Sequence, residues 1–79
     1  MARIRFFAAA ADAVGSDEAQ LQVASVGDLR QELSERYGST TADVVAKCSI
    51  MIDGVRVESN EHVIHDGDTV DVLPPFAGG

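Results

Sequence analysis

Residues 66–79 read DGDTVDVLPPFAGG. Asp66-Gly67 is a turn signal, since both residue types accept the backbone angles of tight turns. Thr69–Leu73 then alternates, with Val70 and Val72 on one side and Asp71 on the other, which predicts a strand with one buried face. Pro74 and Pro75 end that strand, because neither can donate to a ladder. Residues 74–79 follow as a tail whose only titratable group is the terminal carboxylate. The fold turns on whether the preceding segments can build a sheet around this last strand.

Immediately upstream, CSIMI (48–52) and VRV (55–57) flank Asp53-Gly54. That dipeptide favours a type I′ hairpin turn, because both positions accept positive φ. Further back, Ser25 starts a helix. Its side chain can cap the first turn, and Asp28 three residues on completes a capping-box pattern. Val26, Leu29, Leu33 and Tyr37 fall at helical spacing on one face, and Gly38 sits where a left-handed C-terminal cap is expected. A second, shorter helix is predicted over residues 41–47, capped by Thr40 or Thr41.

The beginning of the chain is β. Residues 3–8 (RIRFFA) alternate, with Ile4 and Phe6 on one face and Arg3 and Arg5 on the other. Phe7 breaks the alternation by joining the arginine face. Gly15-Ser16-Asp17 is a turn signal, and residues 19–23 (AQLQV) alternate again with Leu21 and Val23 inward. The first two strands therefore read as a hairpin with a long loop. The resulting order is strand, strand, helix, short helix, and three further strands. That is an α+β class, a mixed sheet with one main helix packed on one face. The first and last strands can pair in parallel, with the helix forming part of the crossover.

Length and composition exclude several functions. A chain of 79 residues allows one domain, here residues 1–79 with 74–79 as a protruding tail. Hydrophobic residues are 46% and charged residues 24%, a globular balance. The net charge of −7 argues against nucleic acid, which needs Lys and Arg to displace counterions from phosphates. It suits a partner with a basic docking face. The single cysteine, Cys48, permits no internal disulfide and no multi-cysteine metal site, which fits a reducing cytoplasm. The opening MARIRFFAAAADAVG has arginines and an apolar run, but Asp12 interrupts it and it contains a core strand, so a signal peptide is not expected. No apolar stretch is long enough to cross a membrane.

The remaining chemically capable residues have plain structural readings. Cys48, beside Ile50 and Ile52, is expected as a small buried residue. His62 and His65 lie near Glu61 and Asp66 without the spacing of metal ligands, and are expected in solvent. Asp66 and Asp68 are turn residues. Asp28, Glu32 and Glu35 form a solvated helix face, and Lys47 is not expected to be a conjugation site.

The opening IRFFA, the helix start SVGDLRQEL, the hairpin IMIDG, the turn and strand DGDTVDVLPP and the ending PPFAGG together resemble the sulfur-carrier small subunits of molybdopterin synthases. The resemblance spans essentially the whole chain and implies a ubiquitin-like β-grasp fold. Gly-Gly alone is weak. The specific combination is DGD-x-V, then Pro-Pro, then a terminal Gly-Gly. Thiamine-pathway carriers share the fold and the Gly-Gly but usually lack the Pro-Pro step. One departure is Asp53-Gly54 where the family often has Asn-Gly, and both suit the same turn.

The resemblance implies that the carboxylate of Gly79 is the reactive group. An E1-like adenylyltransferase would adenylate it with ATP, and a sulfur donor of desulfurase or rhodanese type would convert it to a thiocarboxylate. The tail would then enter the large catalytic subunit of molybdopterin synthase, in a heterotetramer. There its sulfur would pass to a pterin precursor, cyclic pyranopterin monophosphate, to build the dithiolene that holds molybdenum. The chain would be non-catalytic alone, with no metal or stably bound cofactor. Gly78 and Gly79 suit a narrow channel because they carry no Cβ. Pro74 and Pro75 stiffen the stem, so less entropy is lost on insertion. Phe76 would anchor at the partner's entrance, followed by Ala77, and Phe7 would join the same docking surface. Six extended residues reach roughly 20 Å, at about 3.3–3.6 Å each. The alternatives are sulfur carriage for thiamine, cysteine or tRNA thiolation, and a ubiquitin-like modifier or interaction domain.

Overall fold

The computed structural model describes residues 1–75. Among these, the chain forms β1 (Ala2–Phe6), α1 (Ala9–Val14), β2 (Glu18–Leu21), α2 (Val26–Tyr37), α3 (Ser39–Ala46), β3 (Ser49–Ile52), β4 (Val55–Val57) and β5 (Thr69–Leu73). The strands lie in the order β2-β1-β5-β3-β4, so the last strand in the sequence is the central one in space. β1 and β5 are parallel, with Ile4 opposite Val70 and Phe6 opposite Val72. The other ladders are antiparallel. This is the expected mixed sheet of a β-grasp fold.

The core forms where the alternating strands meet α2. Ile4, Leu21, Leu29, Leu33, Ile50, Val70 and Val72 are all fully buried. Each such side chain gains about 1.5–3 kcal/mol on leaving water. The Ser25 side chain accepts the Asp28 N–H at 3.1 Å, as the helix-start pattern predicts, and the Asp28 carboxylate accepts the Ala24 N–H at 3.1 Å. At the β3–β4 turn, Asp53 has φ 49° and Gly54 φ 84°. Both positive values are those of a type I′ turn.

Several local expectations are corrected. First, the long loop after β1 contains helix α1, so three helices cover the sheet. The strand itself ends at Phe6, not at residue 8. Ala8 takes φ 50° and ψ −124°, and the Ala10 N–H donates to Phe7 O at 3.0 Å. That is the first central position of a type II′ turn, normally held by glycine. Second, β2 covers Glu18–Leu21, so Val23 is buried outside the strand. Third, Gly38 is not a left-handed cap. At φ 90° and ψ −176° it joins two helices directly. Its N–H donates to Ser34 O, and its carbonyl accepts the Ala42 N–H. Fourth, α3 begins at Ser39 without a side-chain cap. Thr41 is not a cap but a buried bridge, its hydroxyl donating to Ala13 O of α1 at 2.9 Å. Tyr37, placed on the buried face by spacing, is 36% exposed because the helix ends there.

Two stability changes follow from these geometries. Ala8→Gly relieves a positive-φ position and is expected to raise unfolding stability by about 1 kcal/mol. Thr41→Val keeps the shape but leaves the Ala13 carbonyl unpaired, and is expected to lower stability by about 1–2 kcal/mol. Urea unfolding midpoints check both.

Candidate functional site

Because β1 and β5 run parallel, their C-terminal ends reach the same edge of the sheet. The Phe7 N–H donates to Val72 O at 3.2 Å, which carries the ladder one step past the end of β1. Phe7 therefore stands beside the root of the tail. The residue is 38% exposed. The Arg5 guanidinium carbon lies 5.7 Å from the ring centroid, within range of a cation–π contact. Arg5 also donates to the Asp71 carboxylate at 2.6 and 2.9 Å. Arg5 and Asp71 are register partners across the parallel ladder, so the sheet itself aligns the guanidinium that supports Phe7.

Pro74 is buried, while Pro75 is exposed. A groove of about 250 Å³ lies here, lined by Ala9, Asp43, Val44, Lys47, Pro74 and Pro75. Its walls come from α1, α3 and the residue closing α3, tied together by the Thr41 bond to Ala13. The expected protruding tail is thus corrected at its first residue: Pro74 belongs to the packed body. The calculated reach shortens accordingly, to roughly 17–18 Å for the five residues from Pro75. Phe76, Ala77, Gly78 and Gly79 lie outside the described residues.

Sequence reasoning brought Phe7 and Pro75 to one docking surface, and the structure places them at one end of the sheet. It missed the groove walls at Ala9, Asp43 and Val44. The apolar spacing of Ala10 and Val14 was the available signal for α1, but alanines mark a buried face weakly.

The other candidates are structural. Cys48 is buried, and its thiol donates to Val44 O at 3.2 Å. Burial pushes the thiol pKa up, with Arg30 acting weakly in the opposite direction. His62 and His65 are exposed. Asp68 accepts the His65 N–H at 2.9 Å, a turn contact. Asp66 faces the Met1 ammonium at 3.1 Å, which lowers its carboxyl pKa. Glu32 pairs with Arg36, and Glu35 accepts from Gln31 at 3.3 Å. Among the described residues, no three of His, Cys, Asp and Glu gather as metal ligands, and no helix is long and apolar enough to cross a membrane.

The model of the ThiS family matches residues 4–79. The chain is 31% identical to the molybdopterin synthase sulfur carrier subunit of Phaeosphaeria nodorum, over 96% of this chain and 88% of that protein. Among solved structures it is similar to the putative molybdopterin converting factor subunit 1 from Pyrococcus furiosus. That likeness has 28% identity, covers 95% and 97% of the two chains, and has a TM-score of 0.82. The fold is also that of a chain in the complex of subunits 1 and 2 of the molybdopterin-converting factor from Helicobacter pylori, at 22% identity, 99% and 97% coverage and a TM-score of 0.74.

The burial of Cys48 sets a chemical expectation. At pH 8 a thiol-specific reagent should label the folded protein at least about tenfold more slowly than the urea-unfolded chain, since the thiolate is both scarce and shielded. Equal rates would place the thiol at the surface.

Proposed function

The chain belongs to the ThiS family, and we propose that within it this protein is the sulfur-carrier subunit of a molybdopterin synthase. The observation that carries this reading is the full-length match to a curated sulfur carrier subunit. The protein is a carrier, not an enzyme on its own. Its chemistry resides in the carboxylate of Gly79.

A carboxylate resists nucleophiles because oxide is a poor leaving group. Adenylation by an E1-like enzyme replaces that oxide with AMP. The terminal sulfur of a persulfide on the donor protein then attacks the carbonyl and AMP departs, leaving an acyl disulfide. A further thiol attacks the donor's sulfur, so that the S–S bond breaks, the thiocarboxylate leaves and the donor is left as a disulfide. Gly78 and Gly79 leave the carbonyl open to attack, since neither has a side chain to crowd it. The thiocarboxylate enters the large subunit and gives its sulfur to cyclic pyranopterin monophosphate. Two such deliveries complete the dithiolene. ATP is consumed in the activating enzyme and is not a resident cofactor here.

The body of the fold supports this use of the tail. β5 is the central strand, paired on both sides, and Pro74 is buried. The stem therefore leaves from a fixed point. Fewer backbone angles remain to be ordered when a partner takes the tail, which lowers the entropic cost of insertion. Phe7, with Arg5 over its ring, stands beside that exit and is suited to anchor the large subunit.

Three outcomes are expected. Incubation with ATP, the activating enzyme and a sulfur source should shift the intact mass by one oxygen-to-sulfur exchange, and an unchanged mass would end the carrier reading. Deleting Gly79 should abolish that exchange while leaving the unfolding curve intact. Phe7→Ala should weaken large-subunit binding by about tenfold or more in calorimetry, with the fold retained. Recovery of a thiazole synthase in place of a pterin-converting subunit in a pull-down would move the carrier to the thiamine pathway.

A further inference from the structure

We propose that the cavity between α2, the end of α3 and the β3–β4 hairpin is a binding site for a dianionic phosphate group. This site is separate from the Gly79 chemistry and does not depend on it. The cavity measures about 310 Å³, and its polar lining includes Arg30, Lys47, Ser49, Arg56 and Glu58. The chain has only six Lys and Arg against thirteen Asp and Glu. Three of those six cations nevertheless face this one cavity, opposed there by the single carboxylate of Glu58.

The contrast with the other cations is informative. Arg3 pairs with Glu18, Arg5 with Asp71 and Arg36 with Glu32. Arg30 is half-buried and meets only neutral acceptors. Its guanidinium donates to Val45 O at 2.6 Å, Cys48 O at 3.3 Å and Asn60 Oδ1 at 3.2 Å. The group is therefore held in place while its charge stays uncompensated. Lys47 makes no salt bridge among the described residues. Arg56 lies 3.7 Å from Glu58, with both side chains largely exposed. Such a pair is weak and easily displaced.

The lining thus carries an excess of two positive charges. A monovalent carboxylate would leave one of them unmatched, whereas a phosphate dianion balances both. One fixed guanidinium, one adjustable ammonium, one adjustable guanidinium and the Ser49 hydroxyl supply donors from several directions, as a tetrahedral oxyanion requires. Because Arg30 is already immobilised by the backbone, little ordering cost falls on that contact. The volume exceeds that of a lone phosphate and reaches the lower end of small-ligand pockets, so pyrophosphate or a phosphate monoester also fits. Lys47 also lines the groove at Pro74 and Pro75, so occupancy would be felt at the root of the tail.

The test is a titration of the ¹⁵N-labelled full chain with inorganic phosphate, pyrophosphate and AMP at constant ionic strength, with acetate as the monovalent control. Saturable shifts at the amides of Lys47, Ser49, Arg56 and Glu58 are expected with at least one phosphate probe and not with acetate. Tighter binding of phosphate or pyrophosphate identifies a free-anion site, and tighter binding of AMP a phosphate-ester site. The double variant Lys47→Gln/Arg56→Gln should weaken the binding by about tenfold or more, with a dispersed spectrum showing that it remains folded. Arg30 is left intact because it holds the backbone. Shifts that match those of acetate, never saturate, fall elsewhere on the molecule, or persist unchanged in the double variant would overturn the proposal.

Discussion

The parallel pairing of β1 with β5 is the constraint on which the rest depends. Parallel neighbours cannot be joined by a tight turn, so the chain must cross over the sheet between them. The crossover is what places α2 on the sheet and buries Leu29 and Leu33 over Ile4, Val70 and Val72. The same pairing puts β5 in the middle of the sheet, with β1 on one side and β3 on the other. A chain leaving a central strand starts from the best-anchored point available. Parallel direction also delivers the ends of β1 and β5 to one edge. Phe7 comes to the end of the sheet from which the tail leaves for that reason, not because any local motif joins the two.

Much of this was legible in the residues because several signals are local and strong. Asp53-Gly54 specified its turn, Ser25 and Asp28 specified the start of α2, and the alternation of Val70 and Val72 specified the buried face of β5. What was not legible depended on tertiary packing. Helix α1 is six residues long and alanine-rich, too short to persist alone and too bland to show a strong period. It exists because α3 and the sheet hold it, through contacts such as Thr41 to Ala13. That same contact moved Thr41 from a helix cap to a buried bridge. Gly38 ended α2 as expected, but the immediate start of α3 selected a different backbone geometry. At the candidate site, the proline pair was read correctly as a strand stop. The burial of Pro74 could not be read, because the groove it lines is walled by α1 and α3. The convergence of Arg30, Lys47 and Arg56 left no trace in spacing, since a helix, a helix end and a strand contribute one each.

The charge distribution and the tail fit one division of labour. An acidic body would be steered toward a partner with a basic docking face over distances of about a Debye length, roughly 8–10 Å at ordinary salt. The proposed final contacts fall to Phe7, which stands beside the root of the tail with the Arg5 guanidinium over its ring. On the proposed reading the reactive group needs no side-chain catalyst of its own, because activation, sulfur loading and transfer would belong to three separate partners. On that reading the carrier has only to present one carboxylate from a fixed root.

The most direct measurement is a single-turnover transfer. The thiocarboxylated chain would be mixed with a purified large subunit and cyclic pyranopterin monophosphate, and both the protein mass and the pterin product followed. Return of the chain to its carboxylate mass, with sulfur appearing in the pterin at two chains per dithiolene formed, is the expected result. A thiocarboxylate that survives contact with the large subunit and its substrate, yet is consumed by a thiazole synthase, would contradict the assignment to molybdopterin synthesis.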